Sequence, residues 1–125
     1  MMKYLVAAAL MIFPYSAAAH EFTPTYPVFE QSFVDNILVT NMLLFNRRED
    51  VTYYELGVFD EQWNPVPFAA SNKIVKVKYL GRADIEIFVR ESDFDTIEYI
   101  CTTSKIVKGE LSGSGVSSKI CSRVK

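Results

Sequence analysis

The sequence predicts an all-β fold, and three observations carry that prediction. Short runs rich in Val, Ile, Tyr and Phe recur along residues 20–125, separated by turn residues. Two of these runs alternate apolar and polar residues with the period of two that a half-buried strand requires. No segment sustains the 3.6-residue period of an amphipathic helix.

The elements follow in order. Phe22–Val34 carries Pro24 and Pro27, and proline cannot donate to a ladder, so this segment is an edge strand or an irregular lead-in. Ile37–Asn46 is apolar on both faces and suits a central strand. Asn46–Asp50 reads as a polar turn. In Val51–Asp60, Tyr54, Leu56 and Val58 share one face and Glu55 takes the other. Trp63-Asn64-Pro65 is a turn. Lys73–Leu80 alternates, with Val75, Val77 and Tyr79 facing in and Lys76 and Lys78 facing out. Gly81–Ala83 turns the chain into a strand with Ile85, Ile87 and Val89 on one face and Glu86, Phe88 and Arg90 on the other. Ile97–Thr103 and Val116–Val124 complete the set. About seven strands in about 100 residues match a single immunoglobulin-like β-sandwich.

The sandwich is preceded by a different kind of segment. Lys3 begins it, Tyr4–Phe13 is an apolar run, and Ala17-Ala18-Ala19 is the small-residue pattern a signal peptidase reads. The run is shorter than the roughly 20 residues that span a bilayer. Residues 1–19 are therefore expected to be a signal peptide cleaved between Ala19 and His20, leaving residues 20–125 as one domain. The residue after the cut is not Cys, so no lipoprotein anchor is expected, and no later apolar stretch predicts stable membrane insertion. Export to a periplasm or the extracellular space follows. With 13 basic and 15 acidic residues, the chain lacks the basic excess that nucleic-acid binders show.

Both cysteines, Cys101 and Cys121, lie in the exported part, where one disulfide is the simplest outcome. They are symmetric about Leu111, so a hairpin with its loop near Lys108–Ser114 would place them opposite each other. Closing a loop of roughly 20 residues contributes roughly 3 kcal/mol in the chain-entropy model. Strict alternation puts Cys101 on the face of Ile97 but Cys121 opposite to Ile120. A bulge in the Gly/Ser-rich stretch Gly109–Ser118, or an outward-facing Ile120, would reconcile the two.

No catalytic, cofactor or metal site is expected. The sequence holds a single His, so no Ser-His-Asp or Cys-His arrangement is available. Two Cys and one His do not make a structural zinc site without carboxylates. His20 at a new N-terminus could chelate copper, but such sites recruit a second His; the expectation is a frayed terminus. Glu91-Ser92-Asp93-Phe94-Asp95 alternates carboxylates as calcium loops do, yet lacks the Gly and closing Glu of an EF-hand, and reads as a solvated turn.

Two resemblances add to this. Asp95-Thr96-Ile97-Glu98-Tyr99-Ile100-Cys101 resembles the Asp…Tyr-x-Cys stretch of immunoglobulin domains, which implies that the Tyr99 hydroxyl bonds back to the backbone at a structural corner. Here the second cysteine lies downstream rather than upstream, and Trp63 sits in a turn. More broadly, Ile37–Ile106 is similar to the first domain of the periplasmic pilus-assembly chaperones. The likeness lies in Ile37-Leu38-Val39-Thr40-Asn41, Tyr53-Tyr54-Glu55-Leu56, Ile85-Glu86-Ile87-Phe88-Val89-Arg90 and Asp95–Tyr99. It implies an immunoglobulin-like fold and a mechanism in which a chaperone edge completes a subunit's sheet. The family has two domains where this sequence holds one, and its cleft uses a basic pair including an Arg on the first strand. No Arg or Lys occurs between His20 and Asn46.

The expected function is a non-enzymatic module that binds another protein through sheet edges and loops, chaperone-like in mode. The alternative is a small exported hydrolase or metal-binding protein using surface carboxylates, which a pocket with two or more converging carboxylates would favour. Phe22–Val34 is blunted as an edge by its prolines. Val116–Val124 is the better candidate, with Val116, Ser118 and Ile120 read as the binding edge and Ser118 as a free backbone donor.

Overall fold

In the computed structural model, residues 20–105 and 117–124 are described. The predicted signal peptide, the hairpin loop near Lys108–Ser114 and Val116 lie outside them. Eight strands occur among the described residues: β1 Glu21–Thr23, β2 Glu30–Gln31, β3 Ile37–Phe45, β4 Tyr53–Asp60, β5 Ile74–Lys76, β6 Arg82–Arg90, β7 Ile97–Lys105 and β8 Lys119–Arg123. A 3-10 helix, Glu91–Thr96, links β6 to β7.

The strands form two antiparallel sheets. In one, β3 is central: β6 pairs along one side, while β1 and β2 share the other. In the second, the order is β5-β4-β7-β8. This is the expected immunoglobulin-like β-sandwich. Its core holds the inward side chains expected from alternation, Tyr54, Leu56 and Val58 from β4 and Ile85, Ile87 and Val89 from β6, joined by Met42 and Leu44 from β3.

The structure corrects several elements. Of the two alternatives for Phe22–Val34, the irregular lead-in holds and the single edge strand does not. The ends of the segment pair with β3 in registers offset by three residues, Phe22 opposite Leu44 and Glu30 opposite Val39, so residues between them bulge away from the sheet. Lys73–Leu80 keeps only three strand residues. Val77 is buried, but Tyr79 is 44% exposed rather than inward. The cause is a turn: Leu80 has a φ of 60°, its N–H donates to the Asn46 carbonyl, and the Gly81 N–H donates to the Lys78 carbonyl.

The face of Cys101 is also resolved. Phe59 pairs with Tyr99 but Asp60 pairs with Ile97, leaving Glu98 as the extra residue of a β-bulge. Ile97 and Ile100 therefore both face the core, and Cys101 takes the other face of the sheet, opposite Cys121, where it is itself buried. Ile120 packs against the core rather than facing out. This bulge sits at the start of β7, and most of the Gly/Ser-rich stretch lies outside the described residues.

Candidate functional site

Three places in this sandwich gather side chains that could act. The first is a polar plug at the β7–β8 hairpin end. As the chain leaves β3, Asn46 is fully buried. Its Oδ1 accepts the Arg48 N–H at 2.9 Å, an Asx-type turn. Its Nδ2 donates to the carbonyls of Val51 at 2.7 Å and Val77 at 2.8 Å. The Tyr54 hydroxyl donates to the same Oδ1, and burial pushes its pKa up to about 12. The polar turn at Asn46–Asp50 thus begins with a buried residue that closes the core.

Arg48 is buried with it. Its Nε and Nη2 clasp Asp50 at 2.9 and 2.6 Å, and this bond holds the Asp50 carboxyl below its ordinary range. Its Nη1 points to the hydroxyls of Ser104 and Ser118, each at 3.4 Å. His20 completes the plug. It is not frayed but 2% exposed, with Nε2 bonded to Thr102 Oγ1 at 2.7 Å and Nδ1 to Ser118 Oγ at 3.2 Å. Its ring lies 4.5 Å from that of Tyr54. Burial, with the Arg48 charge adding to it, lowers the His20 pKa to about 4. Both ring nitrogens are engaged by hydroxyls, and no cluster of three metal-ligating side chains exists among the described residues.

The second place is the outer face of the β4-β7-β8 sheet. Asp60 Oδ1 accepts the N–H groups of Gln62 and Asn64, fixing the turn that carries Trp63 at a φ of 65°. The Trp63 ring stacks flat on Tyr99, centroids 4.1 Å apart. Phe59 lies 6.0 Å from Trp63, and the Lys119 ammonium sits over both rings. Tyr99 therefore serves as a stacking platform. Its hydroxyl makes no corner hydrogen bond among the described residues. Beside this cluster, Cys101 and Cys121 form the expected disulfide across directly paired positions.

The third place is the free side of β8. In an antiparallel strand, successive residues turn their backbone N–H and C=O to opposite sides. The Ser104 N–H donates to the Ser118 carbonyl, and the Val124 N–H to the Glu98 carbonyl, so even-numbered residues face β7. The Arg123 N–H instead donates outward, to the Thr25 carbonyl at 2.9 Å. Lys119 and Cys121 share that outward direction. Neither makes a backbone bond on that side among the described residues. β8 is an edge strand of its sheet, and its outward backbone groups belong to odd-numbered residues rather than to the expected Ser118 and Ile120. Ser118 is no free donor, because its N–H bonds the Ser104 hydroxyl at 2.7 Å and its own hydroxyl belongs to the plug. Ile120 pairs with β7.

At the opposite end of the sandwich, an apolar groove of about 510 Å³ runs between Ile37, Phe68 and Phe88. It adjoins one of about 560 Å³ at Asn36, Ile37 and Arg90. Two carboxylates, Asp84 and Glu86, do line a common cavity, but its volume is about 80 Å³. Small-molecule sites usually run to roughly 300 Å³ or more. Asp93, in the helix that replaces the expected solvated turn, bonds the Arg90 guanidinium at 2.7 Å. No helix among the described residues is long and apolar enough to cross a membrane.

No protein-family model matches the chain, and no curated protein does either. Among solved structures, the crystal structure of the E. coli chaperone DraB is similar in fold, with a TM-score of 0.58 at 16% sequence identity. The match covers 85% of this chain and 53% of that one, so this chain spans about half of that chaperone's length. The comparison agrees with the topology above: the chain folds as an immunoglobulin-like β-sandwich.

Proposed function

We propose that this is an exported, non-enzymatic protein-binding module, chaperone-like in mode, that pairs the free side of β8 with an extended segment of a partner protein. One observation carries the reading. The outward N–H and C=O groups of Lys119 and Cys121 are unpaired among the described residues, on a strand stapled in place by the Cys101–Cys121 disulfide. An unpaired edge is a template for strand addition, and a covalent staple keeps that template straight. The fold shared with a chaperone supports the reading, and so does the disulfide, which suits an oxidising compartment.

The test is affinity capture followed by mass spectrometry, comparing wild type with Lys119→Pro and Lys119→Ala. Proline at residue 119 removes an outward donor without removing a bond to β7. Alanine controls for loss of the ammonium over Phe59 and Trp63. Retained folding with capture lost only in the proline variant is the expected result. Equal capture by a folded Lys119→Pro protein places the interface elsewhere, and no capture by the wild type counts against a binding module altogether.

The carboxylate reading has one observation in its favour, the shared cavity of Asp84 and Glu86. Its volume admits a few waters, not a sugar or a peptide. Combined replacement by Asn and Gln should leave any activity of the protein unchanged.

A further inference from the structure

We propose that residues Glu21–Thr25 occupy, in the free protein, the place a partner strand takes on β8, and that the buried His20 ring is the latch that holds them there. This rests on the edge-pairing reading and supplies its regulation. The segment lies alongside β8 and parallel to it, tied at both ends. His20 meets Ser118 just before β8 begins, and the Thr25 carbonyl receives the Arg123 N–H where β8 ends. Between these ties lie the outward backbone groups of Lys119 and Cys121. A strand approaching those groups meets the segment first.

The segment is lightly held by its own backbone. β1 is three residues long, and β2 does not resume the pairing with β3 until Glu30. Its side-chain anchors are Phe22, buried in the core, and His20. The His20 ring reaches across to the other sheet and touches three elements there: Tyr54 of β4, Thr102 of β7 and Ser118 before β8. The groups facing it fix how it responds to a proton. β7 and the start of β8 present only hydroxyls, from Thr102, Ser104 and Ser118. β4 presents Tyr54, which stays neutral. The β3–β4 turn presents Arg48, whose counter-charge Asp50 is already engaged. Glu21, the neighbour in sequence, is turned to solvent and paired with Arg47. A proton on His20 thus places a second positive charge in a dry site beside an arginine. The relief is for the ring to leave, taking residues 21–25 with it.

A separate sign lies on the inner face of β8. The Ser122 hydroxyl is buried and, among the described residues, is the one side-chain polar atom of its kind with no hydrogen-bond partner. It neighbours Arg123, whose N–H forms the tie to Thr25. Lifting the segment opens that flank to water or to a polar group of an incoming strand.

Site-resolved amide exchange on the 15N-labelled protein between pH 6.5 and 3.5, corrected for the intrinsic pH dependence of exchange, tests the proposal. Arg123 reports the tie. Val124, closer to the C-terminus but bonded to β7, controls for fraying, and Phe88, bonded to Ala69, controls for global opening. The expected result is a fall of at least tenfold in Arg123 protection, following titration of the His20 ring signal, while Val124 and Phe88 hold theirs. A folded His20→Gln protein should lose that pH step; the wild-type series decides the question if this variant does not fold. Constant Arg123 protection across the range overturns the proposal. So does joint loss at all three amides, which makes His20 an ordinary core residue. Failure here leaves the Lys119→Pro capture result untouched, and loss of the edge-pairing reading leaves the exchange result standing as a property of the free protein.

Discussion

The imidazole of His20 takes its proton near pH 4 in the folded protein, against an ordinary value of 6.5. The unfolded chain therefore binds a proton that the native state refuses over that interval. Stability is full above about pH 6.5, falls as the pH drops toward 4, and levels off for this group below that. The shift corresponds to about 3 kcal/mol at the lower end. Urea titrations at pH 7 and pH 4.5 should show the loss, and His20→Gln should flatten it. Asn46 sets a larger single-residue effect. Its amide accepts from Arg48 and Tyr54 and donates to Val51 and Val77. Asn46→Ala strands several buried groups at about 1–3 kcal/mol each, so loss of cooperative thermal unfolding is the expected outcome. Ser122→Ala goes the other way. Removing an unpartnered hydroxyl should leave stability unchanged or raise it by about 1 kcal/mol. None of these three residues announces its burial in the sequence. A polar residue is buried when its partners arrive, and the partners of His20 lie 82 and 98 positions away.

Strand β7 shows what was and was not legible at the level of elements. Its pairing with β8 follows from two cysteines symmetric about one loop, and the disulfide confirms it. Its bulge at Glu98 escaped strict alternation, although the sequence carried a sign. Ile97 and Ile100 are both strongly apolar, and an odd spacing on a half-buried strand requires a change of face. Replacing both cysteines by Ala should cost about 3 kcal/mol in denaturant midpoint measurements. Gly57 lies level with the disulfide on the outer face of the sheet. A Cβ there would stand 2.6 Å from the Phe59 ring. Gly57→Ala should displace that ring from Trp63 and Lys119, seen as altered Trp63 fluorescence, at a cost of about 1–2 kcal/mol.

For the whole molecule, the sandwich was legible because half-buried strands write their burial in period two, as β4 and β6 do. Segments whose place depends on turn geometry were not, and residues 22–34 and 73–80 are the examples. The split of the first segment matters for biogenesis under the proposed export. His20 would be the first residue after the signal peptide and is also packed inside the finished domain. A peptidase needs the Ala19–His20 bond in extended, accessible form, so cleavage has to precede docking of β1. Intact-mass measurement on protein from the native compartment should give a chain beginning at His20. Refolding of the oxidised protein should take on the order of milliseconds to seconds, as sheets built from distant strands do.

The covalent link between Cys101 and Cys121 falls in the middle of β8, not at its end. A force applied at the C-terminus would peel this strand from its neighbour one bond at a time, like a zipper. Ser122, Arg123 and Val124 can lift away, and then the tension passes through sulfur into β7 and its neighbour β4. Pulling thus strips β8 only as far as Cys121, and Lys119–Cys121 stay on the sheet.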